Sequence, residues 1–104
     1  MQGGNHAALS FTCDFDERAQ WEVQQKSWFD QALVNLPDGS KVRVCFWDPV
    51  RLSQDLKTDL KMGRVCIAEP GMIVISQVTL ENMNAAVEEL SRRGYFNQLR
   101  SLFQ

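Results

Sequence analysis

The residue types best suited to chemistry lie in one short stretch, Trp47-Asp48-Pro49-Val50-Arg51. Trp47 offers a flat aromatic surface, and Arg51 offers a guanidinium that can bind a carboxylate through two parallel hydrogen bonds. A strand is predicted to give way to a helix here, and binding residues are often found on such connections. We therefore take Trp47, Asp48 and Arg51 as a candidate ligand- or partner-binding site.

The same stretch also has a purely structural interpretation. Asp48 is suited to cap the helix, because its carboxylate can accept from free backbone N–H groups, and Pro49 suits the first helical position. Arg51 would then pair with Asp55, four residues further along the helix, and Trp47 would pack in the core. Of the two interpretations, we favour the structural one.

A second candidate is the set of large apolar side chains that a small core need not hide completely. Protein interfaces are enriched in aromatic residues, and the chain carries Trp21, Trp28, Phe29 and Trp47. More apolar residues follow Gly94, and these form the candidate interface: Tyr95, Phe96, Leu99, Leu102 and Phe103. They would either fold back onto their own sheet or cross to a second copy in a twofold dimer.

Other reactive groups are sparse. His6 is the single histidine, and no closely spaced Cys or His ligands or glycine-rich phosphate loop are present, so the usual nucleophile pairs, zinc sites and nucleotide motifs are disfavoured. The acidic residues Asp14, Asp16 and Glu17 lack the register of a calcium loop and predict a solvated turn. We expect no catalytic residue, no metal and no cofactor.

The three cysteines indicate a reducing environment. Cys13, Cys45 and Cys66 are odd in number and widely spaced, whereas small secreted domains more often carry an even disulfide framework. We expect unpaired thiols. Cys13 and Cys66 are interpreted as small strand hydrophobes, and only Cys45, two residues from Arg43, carries a faint indication of reactivity.

Size and charge narrow the functional classes. The chain has 104 residues and a formal net charge of −2, which predicts one domain over residues 1–104, with residues 1–8 as a flexible N-terminal segment. That charge disfavours nucleic acid as a partner. No apolar run approaches the roughly 20 residues needed to span a bilayer, and no signal peptide is visible, so we expect a cytoplasmic protein without membrane contact.

Alternating apolar residues predict strands in the first half of the chain. Period-two alternation over residues 9–15 predicts a half-buried strand. Residues 19–25 fit two patterns: Trp21 and Val23 alternate with polar residues, which favours a strand, whereas a capping box from Asp14 and Glu17 would begin a helix. We favour the strand. Two alternating runs around Pro37-Asp38-Gly39-Ser40 predict a β-hairpin.

The second half predicts helices separated by a second hairpin. Leucines spaced by four predict an amphipathic helix over residues 49–62. Alternation over residues 64–68, a type II turn with Gly71 at its positive-φ position, and an apolar run over residues 72–78 predict two paired strands, the latter central and covered on both faces. Thr79 caps a final long helix, which Gly94 ends, and the tail shows a short helix pattern.

The order of elements predicts an α+β fold. It consists of a mostly antiparallel sheet, with an N-terminal β-meander or hairpins, and two main helices packed on one face. The function best compatible with these observations is a small non-enzymatic interaction or regulatory module that binds a protein partner or self-associates as a homodimer. The alternative is a small-molecule-binding protein or minor enzyme with a pocket near Trp47, Asp48 and Arg51.

Overall fold

The computed structural model describes the backbone of residues 7–102 and the side chains of residues 7–99. Four strands and four helices follow one another in these residues: β1 (Ala8–Phe11), α1 (Glu17–Lys26), β2 (Trp28–Asn35), β3 (Lys41–Trp47), α2 (Pro49–Lys61), β4 (Met72–Val74), α3 (Leu80–Arg92) and α4 (Tyr95–Leu102). No helix within this part of the chain is long and apolar enough to cross a bilayer.

The strands form one mixed sheet in the order β1-β2-β3-β4. β1, β2 and β3 run antiparallel to one another, and β4 runs parallel to β3. The predicted α+β class and mostly antiparallel sheet are therefore confirmed. The predicted hairpin is β2–β3, closed by the Leu36 N–H, which donates to the Ser40 carbonyl at 2.8 Å, and by Gly39 with a φ of 90°.

The core lies on one face of this sheet. Register partners such as Val34 and Val42, or Phe29 and Phe46, lie side by side and are almost fully buried. A bulge between Phe29 and Ala32 keeps both residues on the core face despite their odd spacing. The opposite face, which we call the outer face, carries Trp28 and Trp47, because strand residues alternate between faces.

The predicted strand at residues 19–25 is wrong, because this segment is the middle of helix α1. Asp16 caps the helix by accepting from the Ala19 N–H at 2.8 Å, and Ser27 ends it in the left-handed conformation at a φ of 66°. The capping residue is thus Asp16 rather than Asp14. One apolar side chain of α1, Val23, is buried and Trp21 is exposed, so the alternation of these two residues did not reflect a half-buried strand.

The predicted second hairpin is also wrong. Residues 64–69 form no strand, and the run at residues 72–78 contributes only the three-residue edge strand β4, which is not a central strand. The segment from β3 through α2 to β4 is a crossover between parallel strands, a connection that needs a dozen or more residues and usually a helix. The turn at residues 69–72 is present, with Gly71 at a φ of 80°. Strand β1 also ends at Phe11, so Cys13 and Phe15 lie outside it.

The helices do not all pack on one face. Met83 and Val87 of α3 belong to the core cluster, as do Phe96 and Leu99 of α4 and Val23 of α1. Helix α2 has no buried residue, and its contacts are with Trp28 and Trp47 on the outer face. The predicted caps of the two longest helices are confirmed, Asp48 for α2 and Thr79 for α3.

Candidate functional site

The first candidate site lies where helix α2 leaves strand β3. Trp47 at the end of β3 is the register partner of Trp28 at the start of β2, and their stacked rings have centroids 6.4 Å apart. The Arg51 guanidinium lies over the Trp28 ring, with its carbon 5.8 Å from the centroid. This is the geometry of a cation–π contact. The structure therefore brings Trp47 and Arg51 together, with Trp28 as a third member that the sequence did not connect to them.

Hydrogen bonds within the chain occupy the polar groups of this site. The Arg51 Nε donates to Asp55 Oδ1 at 3.0 Å and Oδ2 at 3.1 Å, and its Nη1 donates to the Lys26 carbonyl at 3.1 Å. The Trp47 Nε1 donates to the same Asp55 carboxylate at 3.3 Å. The guanidinium thus links three elements, α1, α2 and the start of β2.

Asp48 acts at the same junction as a helix cap. Its Oδ1 accepts from the Arg51 N–H at 2.8 Å, and its own N–H donates to the Ser27 carbonyl at 3.0 Å. The two chain reversals, from α1 into β2 and from β3 into α2, are therefore hydrogen-bonded to each other. These contacts support the structural interpretation of Trp47, Asp48 and Arg51, since each of the three side chains bonds a partner in the chain.

A cavity of about 290 Å³ lies beside Cys45, and its lining includes Asp30, Arg43 and Glu69. The Cys45 Sγ is 3.8 Å from the Glu69 Oε2 and 3.9 Å from the Gly71 carbonyl, with the thiol as donor. Burial, and then the Glu69 carboxylate, raise the pKa of the Cys45 thiol to about 12. The thiol therefore stays protonated at neutral pH and is a poor nucleophile, so the nearby Arg43 does not activate it.

Within residues 7–99, no three or more His, Cys, Asp or Glu side chains are arranged so that they could hold a metal ion. The acidic residues Asp14, Asp16 and Glu17 are exposed, and Asp16 serves as the α1 cap.

Cys13, Cys45 and Cys66 are free thiols, as predicted. Cys66 is exposed on the connection between α2 and β4 and Cys13 lies beyond β1, so the interpretation of both as strand residues is wrong.

The structure exposes a set of apolar side chains that sequence reasoning missed. Of the large hydrophobic residues described as exposed, all except Trp21 lie between positions 50 and 74. Val65 is 82% exposed and Leu60 is 53% exposed, although leucine periodicity had placed Leu60 on a buried stripe. We call this set the crossover surface: Val50, Leu60, Met62, Val65 and Val74.

The described residues of the candidate interface in the tail are buried or half-buried, unlike those of the crossover surface. Phe96 is 2% exposed and Leu99 is 4% exposed, and both belong to the core cluster. Tyr95 is half-buried and meets the Phe96 ring edge-on at 5.3 Å. The tail thus folds back onto its own sheet at these positions, whereas the side chain of Leu102 and all of Phe103 lie outside the described residues.

Comparison of the chain with family models, with curated proteins and with solved structures finds no match.

Proposed function

We propose that this chain is a non-enzymatic protein-interaction module that self-associates through the crossover surface. The observation that carries the proposal is the exposure of the apolar side of helix α2. The helix is amphipathic, yet its apolar side is only partly covered: Leu52 and Leu56 are half-buried, and Val50 and Leu60 are exposed. Amphipathic helices normally cover their apolar stripe, and exposed apolar patches mark interaction sites.

A second copy is a suitable cover for this surface. The charges along α2 are of mixed sign, with Lys57 and Lys61 interspersed with Asp59, so two copies of the helix do not repel each other as like-charged surfaces would. Each large apolar side chain contributes about 1.5–3 kcal/mol on burial, and association costs roughly 4–15 kcal/mol. Covering several such residues on each of two copies therefore contributes a free energy of the same order as that cost.

The alternative, a small-molecule or enzyme pocket at Trp47, Asp48 and Arg51, has weaker support. The Arg51 guanidinium is held by Asp55 and by the Lys26 carbonyl, and Asp48 by the helix it caps. A ligand at this site would have to compete with these intrachain bonds for the same donors and acceptors.

The oligomeric state of two charge-introducing variants tests the proposal. Leu60→Glu and Val65→Glu place carboxylates on the crossover surface, whereas Trp21→Glu alters an apolar residue on α1 whose exposure, 63%, lies between those of Leu60 and Val65. Sedimentation equilibrium should show a dimer for the parent chain and for Trp21→Glu, and a monomer for the other two. Far-UV circular dichroism should be the same for all four chains, because exposed positions tolerate substitution within about 0.5 kcal/mol.

Two results would contradict self-association through this surface. One is a monomeric parent chain at about 100 μM, well above the concentration at which a micromolar dimer forms. The other is a parent dimer that survives both Leu60→Glu and Val65→Glu.

A further inference from the structure

Strand β4 has one edge without a hydrogen-bonding partner in the described residues. β4 is the last strand of the sheet and pairs only with β3. The Cys45 N–H donates to the Gly71 carbonyl and the Ile75 N–H donates to the Trp47 carbonyl, so residues 71, 73 and 75 face β3. By the alternation of a strand, the peptide groups of Val74 face away from the sheet, where a further strand would pair.

A groove runs beside this edge, between β4 and helix α3. It has a volume of about 350 Å³, and Ile73 and Ile75 line it from the strand side while Ala85, Ala86 and Leu90 line it from the helix. The two alanines leave room that larger side chains would fill. We call this the edge groove. Ligand pockets range from about 300 to 1,000 Å³, so the edge groove is large enough for the side chains of a short peptide.

The charges at the edge groove favour an uncharged occupant. Glu89 and Arg93 both line the groove, and they form an ion pair with each other across one turn of α3. Their opposite charges cancel locally. The remaining polar lining consists of Asn82 and Ser76, which can bond a backbone but offer no net charge to a charged side chain.

We propose that the edge groove binds an extended, uncharged peptide segment of another protein, which adds to the sheet as a strand beside β4. Val74 bonds the backbone of the peptide, and alternate apolar side chains of the peptide enter the groove between Ile73 and Ala86. This mode of recognition takes affinity from backbone hydrogen bonds and specificity from the side-chain pocket. The edge groove shares Val74 with the crossover surface, but its other lining residues are different, so Ala85→Trp and Leu60→Glu test the two sites separately.

A second copy of the chain is a poorer occupant than a peptide. β4 has three residues, which extend over about 10 Å. Two such edges paired about a twofold axis would bury far less than the roughly 800 Å² per partner of a stable interface. A peptide gains both the edge hydrogen bonds and the filled groove, so it uses the whole site.

Synthetic peptides provide the probe. Four fluorescein-labelled heptapeptides, in which threonine alternates with valine, isoleucine, leucine or alanine, are titrated with the full chain and followed by fluorescence anisotropy. At least one should bind with a Kd below about 1 mM. The same peptide with an N-methyl group on every backbone nitrogen should lose binding, because neither of its edges can then donate to the edge of β4.

Variants of the chain assign the site. Val74→Pro removes the outward N–H without breaking the bonds to β3 and should weaken peptide binding by about tenfold, the loss of one hydrogen bond. Val74→Thr keeps that N–H and should bind like the parent. Ala85→Trp should block the groove, whereas Asn84→Trp, next to it on α3 and outside the groove lining, should not.

Three results would overturn the proposal. The first is no binding by any of the four peptides up to about 1 mM. The second is equal affinity of Val74→Pro and Val74→Thr, or of Ala85→Trp and Asn84→Trp. The third is a dimer of the chain that Val74→Pro abolishes and Leu60→Glu leaves intact, which would assign the edge to a second copy. If Val74→Pro fails to fold, the Ala85→Trp and N-methyl comparisons still decide the question.

Discussion

At the scale of single residues, burial decides the chemistry of the cysteines. Cys45 is 6% exposed and its thiol has a pKa raised from 9.0 to about 12, whereas Cys66 is exposed. Thiolates, and not thiols, react with alkylating reagents. The two side chains are chemically identical, but their positions in the fold give them different reactivities.

Alkylation of the native chain should follow that order. With iodoacetamide at about pH 8, Cys66 should be modified first and Cys45 last, and the difference should disappear in denaturant, where both thiols have ordinary pKa values. Peptide mass spectrometry measures the order and also checks that no disulfide forms without reductant. Modification of Cys45 as fast as Cys66 in the native chain would contradict its burial.

The raised pKa of Cys45 also gives the stability a pH dependence. Because the folded state holds the thiol proton up to about pH 12, the unfolded state releases it first, near its value of 9.0. The contribution of this proton to stability is therefore complete below pH 9 and is lost as the pH rises towards 12. Denaturant titrations above pH 9 should show a smaller loss of stability for Cys45→Val than for the parent chain, and equal losses would count against the shift.

Gly71 is the glycine at which the backbone leaves no room for a side chain. Its φ is 80°, and a Cβ atom there would lie 2.5 Å from the Arg43 carbonyl oxygen. Gly71→Ala should cost more than the roughly 1–2 kcal/mol of the left-handed conformation alone. Gly39→Ala is the matched control, because its φ is 90° and no atom lies within 4 Å of the added Cβ. Chemical denaturation measures both, and equal losses would show that the Arg43 contact yields easily.

At the scale of elements, helix α2 is fixed at its N-terminal end. Asp48 caps it, and Arg51 in its first turn bonds Asp55 and the Lys26 carbonyl. Asp48→Ala should lose about 1 kcal/mol, and Asp48→Asn much less, since both Asn and Asp are good N-caps. Thermal unfolding measures these losses. An Asn variant as unstable as the Ala variant would mean that the charge of Asp48 matters beyond capping, and the candidate-site interpretation would gain.

Local elements were predictable from the sequence wherever neighbouring residues specify them. The β2–β3 hairpin follows from Pro37-Asp38-Gly39-Ser40, and the Arg51–Asp55 pair follows from their spacing on one helix. The α1 helix was missed because the capping box was placed at Asp14 rather than at Asp16, the actual cap, and because its alternating Trp21 and Val23 also suit a strand. The partners of Arg51 on other elements, Trp28 and the Lys26 carbonyl, are more than 20 residues away and have no local signal.

At the scale of the whole molecule, the sequence pattern does not show which apolar face is covered. Periodicity correctly placed Leu52, Leu56 and Leu60 on one stripe of α2, but the chain covers this stripe only in part: Leu52 and Leu56 are half-buried and Leu60 is exposed. The place of β4 in the sheet was likewise not predictable from the sequence pattern. Its parallel pairing with β3 depends on where the crossover returns, and the alternation over residues 64–68 gave no information about that.

The core is closed by residues far from the hairpin in sequence. Phe96 and Leu99 of α4 belong to the same cluster as Phe46 of β3, and each is at most 4% exposed. A chain of this size has a total stability of about 5–15 kcal/mol. The tail is therefore an integral part of the fold at these two positions, and its loss should affect the whole molecule.

Phe96→Ala tests this role against the interface that the sequence suggested for the tail. Truncation of a buried Phe should cost about 3–5 kcal/mol and lower the unfolding midpoint at any protein concentration, whereas Gln98→Ala, at an exposed position of the same helix, should change the stability by less than about 0.5 kcal/mol. Denaturant titrations combined with light scattering separate the two roles. If Phe96 instead served a dimer interface, Phe96→Ala would yield a folded monomer of parent-like stability from a dimeric parent chain, and the placement of α4 in the core would be wrong.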